Sequence, residues 1–309
     1  QEQLQSLKSK VTSFFSWCLI CLSDMDAGVR ETVWRGWGGR ADRGDRLALS
    51  VSLCPQAFTV LSDLLLVFGP QLPRDGREAL APLVLQPDAD LQSQMAAFLM
   101  DHVFYDTGGQ EELSGTGMSL PCVPGVAAGM SVPPPHTHTV LAEDTERHIV
   151  DLDQRRVFLA GFCKLIIYNV LELSAASDIF KHYVKFYSDY GDIIKETLDC
   201  TRKMDLQAWA RTLLLSLKQL MTELLLQEGP KIRNTKRFQE IQDLARRFSL
   251  LFSFHQLQNR RVLLNLHKEG IEFAFQDPSS REMGVPPLNL TFLEVLSEFS
   301  PRLLQPDKA

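Results

Sequence analysis

Apolar residues recur every three or four positions along most of the chain, which is the period of an amphipathic α-helix. The segment 205–227 shows this period clearly, since its apolar side chains share one face and its polar side chains lie elsewhere. Asp205 suits its N-cap, Gly229 and Pro230 predict a turn after it, and Pro55 suits the first turn of the helix 54–68. Strand-like alternation of apolar and polar residues does not compete with it, so the pattern predicts an all-α fold. The predicted helices are 2–25, 54–68, 91–104, 148–173, 176–202, 205–227, 235–252, 256–275 and 288–304.

Two stretches interrupt the helical period. The first is rich in Gly and Arg and contains two Trp, and the second is rich in Gly, Pro and Ser. Neither sustains a period, so long disordered inserts are expected there. The chain then divides into a helix at 1–26, an irregular insert at 27–53, helices at 54–105, a disordered loop at 106–146 and helical repeats at 147–309.

The predicted helices after the second insert form pairs. Pair starts near 148, 205 and 256 repeat at roughly 50 residues, close to the 40–47 residues of HEAT and armadillo repeats. Each pair would bury one face against the next pair. The pattern therefore predicts a HEAT-like solenoid of antiparallel helix pairs.

Composition narrows the class of protein. The formal net charge of the 309 residues is −6, which opposes attraction of the whole molecule to nucleic acid but permits a local basic face. Six irregularly spaced cysteines do not form a disulfide framework, and the polar start of the chain is not a secretory signal. No apolar run is long enough to span a membrane. We therefore expect a cytosolic or nuclear protein.

Candidate catalytic and metal-binding residues are few. Cys18 and Cys21 have the spacing of half a zinc site, but no second pair follows nearby, and packing as small apolar side chains is favoured. His136 and His138 lie in the Pro-rich loop without an obvious third ligand. Nucleotide-binding, nucleophile-elbow and zinc-protease motifs are missing from the sequence. We expect no enzyme activity, no metal, no cofactor and no small-molecule substrate.

One segment, 181–198, interleaves basic and aromatic side chains. This pattern can serve nucleic acid, through phosphate contacts and base stacking, but the pattern alone favours a core aromatic stripe beside a solvated lysine face. The acidic Asp189 and Asp192 in the same segment favour a basic protein partner instead. The Arg246–Arg247 and Lys268–Glu269 clusters are either solvated helix surface or partner-binding ridges. The interleaved residues are Lys181, Lys185, Lys195, Tyr183, Phe186, Tyr187 and Tyr190.

Several segments resemble the stromal antigen (stromalin) family of cohesin subunits, and details such as LAGFCKL and SEFSPRLL are more similar to its meiotic than to its somatic branch. The resemblance covers roughly three-quarters of the chain and a middle-to-C-terminal part of a longer family pattern. The segments that carry it include FCKLIIY, AASDIFKHYVKFYSDYGDIIKETL, LARRF, LHKEGIEFAF and PPLNLTFLEVLSEFS.

The resemblance implies a non-catalytic scaffold. Members of the family are long HEAT-like hooks that bind the cohesin kleisin subunit, contact DNA and recruit cohesin regulators. Through the kleisin they act with the SMC-type ATPases in sister-chromatid cohesion and chromosome segregation. The implied location is the nucleus, on chromatin and centromeres, with no membrane association.

The resemblance also implies candidate binding residues. It assigns kleisin binding to the DYGDII and LHKEG neighbourhoods, and DNA or partner binding to basic residues near them. The implied kleisin-binding residues are Asp189, Tyr190, Asp192 and Lys268, and the implied DNA- or partner-binding residues are Lys181, Lys185, Arg246 and Arg247.

The chain departs from the family at both inserts, since the family passes almost directly across the first junction and through an acidic, variable linker at the second. Our hypothesis is that 27–53 and 106–146 are retained non-coding sequence. The chain also begins and ends inside the solenoid, so exposed apolar ends are expected. Two alternatives remain open: a helical-repeat transport adaptor or other protein-binding solenoid unrelated to chromosomes, and a direct nucleic-acid-binding module.

Overall fold

The computed structural model describes residues 2–23, 43–105, 137–252, 256–276 and 287–308. These residues form α-helices joined by turns and short 3-10 helices, with no strand among them, which confirms the all-α prediction. The α-helices are α1 (Glu2–Ser23), α2 (Arg43–Val67), α3 (Ala89–His102), α4 (Thr137–Ile167), α5 (Ser177–Phe180), α6 (Tyr187–Met204), α7 (Leu206–Glu228), α8 (Lys236–Leu250), α9 (Gln256–Ala274) and α10 (Phe292–Ser297). The 3-10 helices are Glu78–Leu83, Leu173–Ala176, Leu288–Thr291, Ser300–Arg302 and Gln305–Asp307.

Capping residues fix several helix ends. The predicted cap Asp205 accepts hydrogen bonds from the backbone N–H groups of Gln207 and Ala208, both at 2.9 Å. Asp88 and Thr235 cap α3 and α8 in the same way. Helix α7 ends at Gly229, whose φ of 72° is a conformation that glycine adopts without strain.

The helices pack mainly against neighbours that are close in sequence. Helix α1 contacts α2 and α3, α2 contacts α4, α4 contacts α6, and α6 contacts α7. Helix α7 then contacts both α8 and α9, and α10 contacts α8 and α9. This nearest-neighbour packing is the contact pattern of a helical-repeat array.

Aromatic side chains fill the interior of the array. The rings of Phe58 and Phe98 stack with centroids 4.4 Å apart, joining α2 to α3. Further along, Phe252 lies 5.0 Å from Trp209 and 6.1 Å from Phe299. These large buried rings contribute much of the apolar area that the array removes from water.

Two predicted helix starts need correction. Helix α2 begins at Arg43, inside the stretch predicted to be irregular, and continues through Pro55, which was expected in its first turn. Residues such as Leu47, Ala48 and Leu49 are good helix formers, so helix propensity outweighs the cost of one proline. Helix α4 similarly begins at Thr137, inside the predicted loop. The rest of the two predicted inserts, 27–42 and 106–136, lies outside the described residues.

Two predicted helices are interrupted. The segment 176–202 is split into α5 and α6 by turns at 181–186, where His182 and Tyr183 bond to carbonyls three residues earlier. These turns let His182 stack on Phe104, with centroids 4.3 Å apart. The last predicted helix, 288–304, becomes short 3-10 and α-helical pieces, and Pro301 cannot donate a backbone hydrogen bond.

The structure also bears on the membrane and metal predictions. Within the described ranges, no helix is long and apolar enough to cross a bilayer. The same ranges hold no group of three or more candidate metal ligands. Cys18 is buried in the core, while the side chains of Cys21, His136 and His138 lie outside the described part of the chain.

Candidate protein-interaction site

Asp192, near the start of α6, forms an intramolecular ion pair with Arg156 of α4. Arg156 of α4 donates to the two carboxylate oxygens of Asp192 over 3.1 and 2.5 Å, and also to the main-chain carbonyl of Asp189. The hydrogen bond from Arg156 is the main cause that lowers the pKa of Asp192. The Asp192 side chain is still 65 % exposed, so its carboxylate both joins α4 to α6 and faces solvent.

Tyr190 belongs to the core. Its ring is 1 % exposed, lies 5.7 Å from the ring of Phe104, and its hydroxyl donates to the carbonyl of Val103 over 3.2 Å. Burial raises the pKa of Tyr190. A partner cannot reach this side chain without unpacking α6, so the fold uses Tyr190 as a packing residue.

The two lysines of the aromatic segment have different surroundings. Lys181 forms ion pairs with Asp178 and Glu223, both at 3.3 Å, and most of its side chain is buried. Lys185 is exposed, with its ammonium nitrogen 5.4 Å from the centroid of the Phe186 ring. The turns at 181–186 therefore replace the continuous basic and aromatic helix that the sequence predicted.

The adjacent arginines of α8 also differ. Arg246 binds the carboxylate of Glu298 through two hydrogen bonds of 3.1 and 3.2 Å and pairs with Asp243 at 3.0 Å. Arg247 instead places its guanidinium carbon 5.1 Å from the centroid of the Tyr187 ring on α6. Arg246 thus fastens α8 to the segment after α10, whereas Arg247 lies on the surface between α6 and α8.

Lys268 lies on the solvent face of α9. Its nearest carboxylate is that of Glu272 at 4.0 Å, one turn later on the same helix. No hydrogen bond or ion pair links it to the start of α6 among the described residues. Both α6 and α9 pack against α7, so the two predicted kleisin-binding neighbourhoods lie on different helices of the array.

Residues that the sequence reasoning missed surround Lys268. The solvent face of α9 carries apolar side chains seven residues apart, with basic side chains between them, and we call this set the α9 ridge. The seven-residue spacing is readable from the sequence, but only the fold shows that this face is exposed. The α9 ridge consists of Leu257, Arg261, Leu264, Lys268, Ile271 and Phe275.

The inner face of α9 explains why the ridge faces outward. Leu263, Leu266 and Ala274 are buried, and Gly270 allows a close approach to α10. A Cβ at position 270 would lie 2.7 Å from a methyl carbon of Leu296. The inner face is therefore fully engaged in packing, and the ridge is the face that α9 offers to a partner.

Comparison with known proteins supports a single family. The STAG protein C-terminal domain matches residues 206–309. Over the whole chain, 46 % of residues are identical to cohesin subunit SA-3 of Homo sapiens and 43 % to cohesin subunit SA-1 of Xenopus laevis. Over 82 % of the chain, 29 % are identical to cohesin subunit scc-3 of Caenorhabditis elegans. The chain spans about a fifth of the length of these relatives (21 %, 21 % and 20 %). The chain belongs to the stromal antigen family, as its sequence motifs predicted.

Proposed function

We propose that the chain is part of a non-catalytic scaffold subunit of cohesin that binds the kleisin subunit. In this role it supports sister-chromatid cohesion and chromosome segregation in meiosis, on chromatin in the nucleus, and acts with the SMC-type ATPases through the kleisin. The supporting observation is the similarity over the whole chain to relatives named as cohesin subunits. The helical-repeat array suits this role because it offers long faces to an extended partner.

The α9 ridge is our candidate for the kleisin contact. Leu257, Leu264 and Ile271 repeat every seven residues, so a second helix lying along α9 would meet an apolar side chain at every second turn. Arg261 and Lys268 lie between them and would pair with acidic residues of that helix. Helices that bind in this way use apolar anchors at intervals of three, four and seven residues.

Asp192 and Asp189 are the second candidate contact. The exposed part of the Asp192 carboxylate can accept a further hydrogen bond from a basic kleisin residue while Arg156 holds its orientation. The Asp189 carboxylate accepts from the hydroxyl of Ser188 at 3.1 Å. Because the Asp192 carboxylate is already held in one orientation, it would lose little conformational entropy on binding, which favours affinity.

DNA contact by the predicted basic residues is less well supported. Lys181 and Arg246 already form ion pairs with carboxylates of the chain. Neither is therefore available to neutralise a phosphate and release its counterion. Lys185 and Arg247 remain exposed at the surface. We therefore place the main partner contact on the kleisin and not on nucleic acid.

A pull-down of the purified chain with a cohesin kleisin tests the proposed function. Lys268→Glu reverses the charge at the centre of the α9 ridge and should weaken binding by about tenfold, which corresponds to roughly 1.4 kcal/mol. Lys236→Glu is the matched control, because Lys236 is an exposed lysine outside the ridge at the start of α8. Equal binding by both variants would remove the ridge from the proposal, and no binding by a well-folded parent chain would contradict kleisin binding.

A further inference from the structure

A cluster on α6 and α8 has the features of a second docking surface, separate from the α9 ridge. It is centred on Arg247. The neighbouring Arg246 already forms ion pairs with Glu298 and Asp243. No carboxylate lies within ion-pair distance of Arg247 among the residues that the structure describes. The N–H groups of the Arg247 guanidinium are therefore available to donate hydrogen bonds to an acceptor on another molecule.

The guanidinium of Arg247 lies over the ring of Tyr187, 5.1 Å from its centroid, within the range of a cation–π interaction. The Tyr187 ring lies across Gly191, and a Cβ at that position would be 2.9 Å from a ring carbon. The ring of Tyr183 meets Tyr187 edge-on, with centroids 5.6 Å apart and planes at 65°. Tyr187 is nonetheless 50 % exposed. One face of the Tyr187 ring is packed against the protein and the other is exposed to solvent. A ligand could therefore bind without a rearrangement of this side chain.

Leu250 extends the cluster with an apolar surface. It is exposed and lies one turn after Arg247, on the same side of α8. We call Tyr183, Tyr187, Arg247 and Leu250 the tyrosine–arginine clasp. It combines an arginine and two tyrosines, residue types that are enriched among those that dominate protein–protein binding energy, with an adjacent aliphatic side chain.

We propose that the tyrosine–arginine clasp binds an acidic residue of a partner peptide, with a neighbouring apolar residue of that peptide packed on Tyr187 and Leu250. The carboxylate would take two parallel hydrogen bonds from the Arg247 guanidinium, a geometry that arginine offers and lysine does not. The adjacent apolar side chain would cover the exposed face of the Tyr187 ring and exclude water from the ion pair.

The surrounding charges favour one carboxylate over a nucleic-acid backbone. Asp243 lies one turn before Arg247 on α8, Asp199 of α6 acts electrostatically on Tyr183, and the chain as a whole carries a net charge of −6. Burial is the main cause that raises the pKa of Tyr183. The charges of Tyr187 and Asp199 also raise this pKa, and the charge of Arg247 lowers it. A backbone with a charge on every nucleotide would meet both carboxylates, whereas a single acidic side chain needs only Arg247.

Fluorescence anisotropy with labelled peptides tests this proposal on the whole chain. The probes are short Gly- and Ser-flanked peptides with a central Glu-Leu or Glu-Phe pair, and matched peptides in which glutamine replaces glutamate. The glutamate peptides should bind at least about tenfold more tightly than the glutamine peptides. Arg247→Lys should reduce that difference because it loses the two parallel hydrogen bonds, and Tyr187→Leu should reduce it because it loses the ring beside the guanidinium. Tyr187→Phe should retain it because the ring is kept.

Arg74→Lys is the control, because Arg74 is an exposed arginine outside both the clasp and the α9 ridge, and it should leave peptide binding unchanged. Circular dichroism should show that each variant is folded, because the side chains of Arg247 and Tyr187 are exposed. Unchanged binding by Arg247→Lys, or no glutamate-dependent binding up to about 1 mM, overturns the proposal. Displacement of the peptide by short duplex DNA, with tighter binding of the duplex, would assign the clasp to nucleic acid instead. The proposal does not rest on kleisin binding, so the two can fail independently.

Discussion

The start of α6 and the outer face of α9 were both assigned to partner binding, but the fold uses them differently. At the start of α6, Tyr190 is buried and Asp192 is tied to Arg156 of α4. On α9, Lys268 lies among exposed apolar residues and pairs only loosely with Glu272 of its own helix. A residue that joins two helices stabilises the array, whereas a residue on an uncovered ridge is available to another molecule. Substitutions in the two regions should therefore affect different measurements.

The largest expected effect is on stability at the start of α6. Tyr190→Ala should lower the free energy of unfolding by about 3–5 kcal/mol, because it leaves a cavity in the aromatic core. Tyr190→Phe keeps the ring and loses only the hydrogen bond to Val103, so about 1 kcal/mol is expected. Urea denaturation followed by circular dichroism measures both values. A loss below 1 kcal/mol for Tyr190→Ala would show that this part of α6 is not held in the core.

The α9 ridge should give the opposite result. Replacing both Leu264 and Ile271 by glutamate should change the free energy of unfolding by less than about 0.5 kcal/mol, since both side chains are at the surface. Kleisin binding should fall by at least about tenfold because the apolar anchors are lost. The same pull-down and urea titration report both effects. A large loss of stability with unchanged binding would reverse our distinction between the two regions.

The Arg156–Asp192 pair tests whether Asp192 acts on the fold or on a partner. Asp192→Arg and Arg156→Asp should each reduce stability, and the exchanged pair should recover about 0.2–1 kcal/mol, the range for exposed ion pairs. A double-mutant cycle in urea measures this coupling. If the exchanged pair also recovers kleisin binding, Asp192 acts through the fold, and if binding stays low, its negative charge contacts the partner directly.

His267 on α9 provides a smaller, pH-dependent effect. Burial lowers its pKa, although its ring Nδ1 donates to the Leu263 carbonyl over 2.8 Å, so the folded chain binds a proton less readily than the unfolded chain. Stability should therefore fall as pH drops below about 6.5, the ordinary pKa of histidine, and continue to fall until the lowered folded pKa is reached. His267→Gln should flatten this slope in urea titrations at different pH values. An unchanged slope would assign the pH dependence to other groups.

Local signals predicted some elements well. Asp205 was identified as the cap of α7 because a short carboxylate before an apolar helical run satisfies the first free N–H groups, and it does so here. Gly229 was identified as part of the turn after α7, and its positive φ agrees. These features depend on residues within one or two turns of each other. The chemistry of neighbouring residues is therefore enough to predict them.

The candidate site was less predictable, because its residues are defined by distant partners. Asp192 is paired with Arg156, Arg246 with Glu298, and Tyr187 with Arg247, and each pair joins different segments of the chain. A sequence pattern shows which residues could form such pairs but not which ones meet. The same holds for Tyr190, since a tyrosine in an amphipathic helix can be either an interface anchor or a core residue.

The sequence by itself determined the all-α class, most helix positions and, through its motifs, membership of the stromal antigen family, because periodicity, caps and motifs are local properties. Tertiary structure decided where helices break and which charged residues remain available. At 181–186, the helical period continues in sequence, but packing of His182 on Phe104 favours turns over an unbroken helix. Long-range packing and ion pairing compete with local preference at such positions, and their energies depend on which surfaces the fold brings together.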